Sequence, residues 1–215
     1  MWSYRGVKVH WLGHDSFVLQ GSKTVVMDPF KAGGSFRADI LLISHEHYDH
    51  LSEDEIKRFT SSSSTMVAPN ICREPLKKFP NEKTFVSPGE RLDVKGVHIQ
   101  AVPAYNLNKF RSPGKVFHPK EDGRVGYIVT LDGARFYHAG DADAIPEMKS
   151  VDVDVAFLPV SGTYVMTAEE AVGAAKMIRT KIVVPMHIGS IVGSRSDAER
   201  FKKLASCETK IMEKE

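Results

Sequence analysis

A chain of 215 residues with 42% hydrophobic content can bury a substantial core, and residues 1–215 are read as a single domain. Its 29 basic and 27 acidic residues leave a net charge of +2 with no block of like charge; this excludes a long polyanion footprint, so nucleic acid is not an expected partner. Cys72 and Cys207 are too few and too far apart for a disulfide framework, which points to the cytoplasm, and no run approaches the ~18 uninterrupted apolar residues of a membrane span.

Segments 7–13, 16–20 and 24–28 are short β-branched or aromatic runs separated by Gly-containing or polar turns, the pattern of consecutive antiparallel strands. A fourth strand over 40–44 leads into a His-rich stretch, after which Ser52-Glu53-Asp54-Glu55 has the form of a capping box opening a helix. Ser61 to Ser64 reads as a connection without chemistry. Further strands are expected at 66–68, 84–86, 97–102, 126–130, 134–138, 155–160 and 182–185, with a closing edge strand at 210–212. The clearest helix is 167–178, where Thr167 can cap and Glu170 completes the box; another starts at Ser196-Asp197-Ala198-Glu199. A meander with helices added outside predicts an α/β fold, a four-layer αββα sandwich of two mixed sheets flanked by helices.

Within Ser44-His45-Glu46-His47-Tyr48-Asp49-His50, three imidazoles and a carboxylate fall within six residues. Alternate residues of extended backbone point the same way, so His45 and His47 can converge on one ion while Asp49 and His50 face a neighbouring position. Asp28, Asp141, His187 and His14 each stand at the end of a predicted strand, and strand ends at one sheet edge converge in space. Imidazole and carboxylate donors without a nearby Cys suit a divalent ion, Zn or Mn first and Fe as a further choice. Two ions ~3.5–4 Å apart can share a hydroxide that is nucleophilic at neutral pH. Asp49 is placed to orient or deprotonate that water, and His14, His118 and Tyr105 are candidates to protonate a leaving group. His10 and His98 read as structural or exposed.

The order of these elements, an Asp ending an early strand, then His-x-His-x-Asp-His, a later Gly-Asp and a last His after a strand, resembles the metallo-β-lactamase superfamily over essentially the whole chain. Gly13-His14-Asp15-Ser16-Phe17, His138-Ala139-Gly140-Asp141 and Pro185-Met186-His187-Ile188-Gly189 look most like the branch that contains L-ascorbate-6-phosphate lactonase. The resemblance implies the metallo-β-lactamase fold, metal dependence and hydrolysis. It also implies that His45 and His47 bind the first metal, that Asp49, His50 and His187 bind the second, that Asp141 bridges both, and that Asp28 supports the histidine loop from outside. The chain departs from the family at Pro103-Ala104-Tyr105-Asn106, where many relatives carry another first-site His. His118 is the residue that could be borrowed, which leaves one ion or two open.

The expected function is metal-dependent hydrolysis of a small ester, lactone or phosphodiester. The alternatives are an iron-dependent oxidoreductase of the same fold, against which His47 stands where diiron relatives carry a carboxylate, and a non-catalytic metal-binding protein. The segment 106–124 carries Lys109, Arg111, Lys115, His118, Lys120 and Arg124; it reads either as a lid for an anionic substrate or as a solvated loop with surplus charge. Ser161-Gly162-Thr163-Tyr164 either lines the pocket or forms a plain turn. The expected partner is a small molecule, with assembly into homo-oligomers left open.

Overall fold

Successive side chains of a strand face opposite sides, and at 16–20 both sides are apolar: Phe17 and Leu19 join one buried cluster and Val18 another. A strand buried on both faces needs a layer on each, and the computed structural model, which describes residues 1–215, supplies them. The first sheet follows chain order: β1 (Trp2–Tyr4), β2 (Val7–Gly13), β3 (Ser16–Gln20), β4 (Thr24–Met27), β5 (Ile40–Leu42), β6 (Thr65–Pro69) and β7 (Glu82–Val86). Pairing is antiparallel from β1 to β4 and parallel from β4 to β7. After β8 (Arg91–Val94) and β9 (Val97–Pro103) comes a small hairpin of β10 (Phe110–Ser112) and β11 (Lys115–Val116). The chain then returns to β8 and β9 with β12 (Val125–Leu131), β13 (Ala134–His138), β14 (Val155–Pro159), β15 (Ile182–Met186) and β16 (Glu208–Thr209), completing a second sheet in the order β8-β9-β12-β13-β14-β15-β16. It is antiparallel up to β13 and parallel beyond.

Phe17, Leu19, Met27, Ile40 and Leu42 meet Ile99, Tyr127, Phe136 and Phe157 between the sheets. On the outer side of the first sheet, Val18, Val26, Leu41 and Met66 pack on Ile56 and Phe59 of α1 (Glu53–Phe59) and Leu76 of α2 (Arg73–Leu76). On the outer side of the second, α3 (Ala168–Met177) and α4 (Arg195–Leu204) lie against β14 and β15. The αββα sandwich is therefore as expected. No helix is long and apolar enough to cross a membrane.

The differences from the sequence reading lie at element ends. Thr167 and Glu170 form their capping box, with N–H···O distances of 3.2 and 2.8 Å. Ser52 makes no side-chain cap, and the Glu55 carboxylate accepts from Arg58 Nε at 2.8 Å instead of reaching back to the Ser52 N–H. The last helix begins one residue before Ser196: Ser194 caps it, its N–H donating to Asp197 Oδ2 at 2.7 Å. The closing strand is 208–209 rather than 210–212. β1, β8 and the β10–β11 hairpin are short and were outside the predicted set.

The two parallel halves set the position of the site. β4, β5, β13, β14 and β15 end at one edge of the sandwich, and β2, antiparallel to β3 as β3 is to β4, ends there too. In sheets of this kind ligands bind beyond the carboxyl ends of the strands. Phe17, fully buried and stacked on Phe157 at 4.2 Å between ring centroids, pins the sheets together. Phe17→Ala is expected to destabilise the fold by about 3–5 kcal/mol, measured as a lower urea midpoint at unchanged slope.

Candidate metal centre

His45 follows β5 directly into the loop, and its Nε2 lies 3.0 Å from His47 Nδ1. His118 Nε2, arriving from the 106–124 segment, lies 3.3 Å from the same atom. These three ring nitrogens form one group with metal-ligand spacing. Each buried ring is held from its far side. Asn106 Oδ1 accepts from the backbone N–H of His118 at 2.9 Å, which fixes that oxygen as an acceptor; the Nδ1 of His118 at 2.8 Å must then carry its proton, leaving Nε2 free. Asn106 is itself anchored by donating to the Tyr164 carbonyl at 3.0 Å. Ser44 Oγ donates to Asp28 Oδ2 at 2.5 Å and accepts from His45 Nδ1 at 2.9 Å.

A second group contains Asp49, His50, His187 and His14, and a third, overlapping one contains Asp15, His50, Asp141 and His187. Asp141 links them to the first: its Oδ2 is 3.5 Å from His118 Nε2, 3.5 Å from His187 Nε2 and 3.9 Å from His45 Nε2, and its Oδ1 is 3.4 Å from His50 Nε2. Asp28 stands outside this ring, accepting from the Ser44 N–H at 2.7 Å and from His50 Nδ1 at 2.9 Å, the supporting position the sequence predicts. Ser161 Oγ lies 2.9 Å from His187 Nδ1 and orients that ring.

His14, Asp28 and His187, each just past a strand, adopt left-handed backbone with φ of 52°, 42° and 60°, conformations of a kind that cluster at functional sites. The His187 N–H donates to the His14 carbonyl at 3.2 Å and Trp11 Nε1 donates to the same oxygen at 2.9 Å, locking two of these turns together. Gly140 has φ +60°, and a Cβ there would come within 2.9 Å of the Val125 carbonyl oxygen, so only glycine lets Asp141 reach the centre.

The buried atoms His50 Nε2, His187 Nε2, Asp141 Oδ1 and both carboxylate oxygens of Asp15 have no hydrogen-bond partner. Buried polar atoms are normally paired, and a divalent cation supplies the missing partner, so the donors fit a metal centre. Electrostatics divide the histidines into two kinds. Burial and the neighbouring His50 push His45 well down, and burial with Arg124 takes His118 down to about 4. Burial alone would lower His50 and His187, but the Asp141 carboxylate, aided by Asp28 and Asp15 respectively, lifts His50 well above its usual range and His187 to about 9. Burial would raise Asp49, yet its 3.2 Å hydrogen bond with His14 holds it at about 2, so it is an ionised acceptor and a weak base.

Several expectations change. His118 sits with His45 and His47 among the candidate donor atoms, the position its expected role as a borrowed ligand requires. His14 is fully buried behind Asp49 and Tyr105 donates to Glu147 at 2.9 Å, so neither is placed as a proton donor to substrate. Three of the five Lys and Arg side chains of 106–124 are paired, Lys109 with Glu170 at 2.6 Å, Lys120 with Glu147 at 2.7 Å, and the buried Arg124 with Glu46, its Nε at 3.0 Å, while Arg111 and Lys115 are exposed. Asp143 accepts from the N–H groups of Leu107 and Asn108 at 2.6 and 3.0 Å and so braces this loop. His138 Nε2 lies 2.9 Å from the Asp15 carbonyl oxygen and its Nδ1 accepts from the Gly140 N–H at 3.2 Å, joining the two turns. His10 pairs with Glu215 and His98 is exposed beside Asp93, both away from the centre. Sequence reasoning gave no role to Asp15, although it lies in the quoted Gly13-His14-Asp15-Ser16-Phe17 stretch, and none to Asn106, which it named only within Pro103-Ala104-Tyr105-Asn106.

Two sheets delivering imidazoles and carboxylates to one edge define a metal-binding αββα protein. Residues 8–187 match the sequence profile of the Beta-lactamase superfamily domain, and the chain belongs to the metallo-β-lactamase superfamily. It is 36% identical over 213 residues to a UPF0173 metal-dependent hydrolase of Methanoculleus marisnigri, covering 95% of this chain and 91% of that one. Among solved structures it resembles a protein from Parabacteroides distasonis assigned as a metal-dependent hydrolase, with a TM-score of 0.81 at 33% identity over 97% of this chain and 94% of that one. CmlA, a diiron β-hydroxylase from Streptomyces venezuelae, shares the fold at a TM-score of 0.71 and 13% identity, with 99% of this chain matching 54% of that one.

Two outcomes follow from this geometry. Asn106→Ala should weaken binding of the first ion by roughly 10–100-fold, read by chelator competition, with the second ion unaffected. In chelator-stripped protein His187, lifted from 6.5 to about 9, carries a proton whose stabilising effect is complete below its unfolded pKa and is lost as pH rises through about 9. A cation must displace that proton, so metal affinity should rise with pH up to about 9 and calorimetry in buffers of different ionisation enthalpy should register proton release.

Proposed function

We propose that this metal-dependent hydrolase cleaves a small, largely uncharged ester or lactone. The observation that carries the reading is the cavity over the centre, about 260 Å³, with His47, Asp49, His118 and Asp141 on its floor and Tyr48, Phe117, Tyr164 and Ile191 on its walls. Apolar walls with a few converging polar groups suit a small organic molecule. The paired state of Lys109, Lys120 and Arg124 favours a carbonyl substrate over a phosphodiester, and the motif likeness to the lactonase branch supports a cyclic ester. The two unpaired thiols, Cys72 and Cys207, suit a cytoplasmic setting.

In this reading His45, His47 and His118 hold a first ion, Asp49, His50 and His187 a second, and Asp141 lies between them; Zn or Mn fits these donors. When bound, the ions supply a water that is nucleophilic at neutral pH and a Lewis acid for the substrate carbonyl. Asp49, ionised and anchored by His14, accepts a hydrogen bond from the attacking water and fixes its direction. Phe117 and Tyr164, edge to face at 4.7 Å between centroids, form a wall against which the acyl or alkyl part packs and from which water is excluded. Of the residues lining the cavity, Tyr48 and Tyr164 carry the hydroxyls able to protonate a departing alkoxide.

The test is hydrolysis of a panel of aryl and alkyl esters, lactones and phosphodiesters by protein stripped with chelator and reloaded with Zn or Mn. Turnover is expected on esters or lactones in preference to phosphodiesters; none on any member by fully metallated protein refutes the reading. His50→Ala and Asp141→Ala should each lower kcat by roughly 10³-fold or more, the equivalent of several kcal/mol of lost charge stabilisation, while circular dichroism stays that of the folded protein. Loss of folding instead would mark the metal as structural.

A further inference from the structure

The turn between β2 and β3 consists of two residues, His14 and Asp15, since Gly13 pairs with Ser16 across the hairpin. Hairpin tips normally face water, yet both of these residues are 0% exposed. The tip is pushed into the metal centre, and it carries a carboxylate that nothing else in the fold accounts for. Asp15 Oδ2 lies 3.6 Å from His50 Nε2, 3.8 Å from His187 Nε2 and 3.8 Å from His14 Nε2. Neither of its oxygens has a hydrogen-bond donor.

The other buried carboxylate of the same edge makes the contrast. Asp28 already accepts three donors, from the Ser44 N–H, the Ser44 hydroxyl and His50 Nδ1 at 2.7, 2.5 and 2.9 Å, so both of its oxygens are engaged in holding the histidine loop. Asp15 keeps its whole acceptor capacity and directs it toward the same ring nitrogens, His50 Nε2 and His187 Nε2, that are themselves unpartnered. Its main chain is held so that the side chain stays aimed inward, through His138 Nε2 at 2.9 Å from its carbonyl oxygen. An ionised carboxylate without donors is costly to bury unless it is paired or coordinates a metal.

We infer that Asp15 is a direct ligand of the second ion, an assignment that rests on the two-ion reading above but not on the substrate. The second position then has three carboxylates, Asp15, Asp49 and Asp141, beside the imidazoles of His50 and His187. The first has three imidazoles and Asp141. The two positions differ in donor number and hardness: four donors rich in nitrogen suit tetrahedral Zn²⁺, and five donors rich in oxygen suit Mn²⁺ or Fe²⁺. The centre therefore prefers unlike ions.

The test compares the full-length chain with Asp15→Asn, which keeps the shape of the side chain. Both are stripped with chelator, checked by circular dichroism, and titrated with Mn²⁺ followed by the electron paramagnetic resonance of free Mn²⁺ and with Zn²⁺ followed by a chromophoric chelator. The parent chain should take two ions. In D15N the first should bind as before, the second Mn²⁺ should bind at least about 10-fold more weakly, the lower end of the effect of losing even an indirect partner of a ligand, and selectivity at that position should move toward Zn²⁺. Second-ion affinity within about 2-fold of the parent and unchanged selectivity would overturn the assignment. Anomalous diffraction at the manganese edge on the parent protein needs no variant: an Asp15 oxygen roughly 2.0–2.2 Å from the ion is expected. A second ion with Asp15 standing clear of it refutes Asp15 alone, whereas a parent chain that binds only one ion overturns the two-ion reading along with it.

Discussion

The carboxylate of Asp141 is buried within 4 Å of four imidazoles, those of His45, His50, His118 and His187, and the rest of the structure is arranged around keeping it there. An ionised carboxylate taken out of water costs several kcal/mol unless positive charge or strong donors surround it. No single segment can provide that surround. The four rings come from the loop after β5, from the long connection before β12 and from the end of β15, so the centre closes only when both sheets have stacked with their carboxyl ends at one edge. Tyr127, buried between the sheets, donates to the Ile43 carbonyl at 2.8 Å and ties the second sheet to the base of the histidine loop. Gly140 completes the approach, since any side chain there would meet the Val125 carbonyl and the Ser44 Cβ.

The division of labour among the imidazoles follows from which carboxylates face them. His50 and His187 stand against Asp141 together with Asp28 or Asp15, and their protonated forms are favoured; for His45 and His118 burial, aided by His50 and Arg124 respectively, outweighs Asp141, which is the only carboxylate facing them, and their neutral forms are favoured. A neutral ring is already in the form that binds metal, so protons compete at one position more than at the other. The asymmetry arises from carboxylate placement, since the side chains concerned are of the same chemical type.

Much of this was legible in the sequence because it is periodic or clustered. Short β-branched and aromatic runs bounded by turn residues marked β2 and β3 to the residue, the box at Thr167 marked the start of α3, and the His-x-His-x-Asp-His run announced the centre. What escaped was carried by single polar residues in turns. Asp15 belongs to a hairpin tip that local rules assign to solvent, and only the stacking of the second sheet buries it. Ser161 was open between a pocket-lining and a plain turn residue, and its orientation of His187 depends on β14 lying parallel beside β15. Ser52 erred the other way: the local pattern was right for a cap, but a neighbouring Arg58 took the Glu55 carboxylate.

The connection around Asn106 shows why candidate ligand sets are better read in space than along the chain. The stretch Pro103-Ala104-Tyr105-Asn106 contains no imidazole, and His47 would have only His45 beside it if position in sequence were decisive. The chain runs on through the β10–β11 hairpin and returns twelve residues later, where His118 meets Asn106 by two hydrogen bonds, at 2.8 and 2.9 Å, and turns its Nε2 toward His47. Arg124, bonded to Glu46 within the histidine loop and to the Phe117 carbonyl at 3.1 Å, fastens the far end of the excursion. The Asn106 amide thus positions the His118 ring, and the long connection gains the rigidity that a coordinating side chain requires.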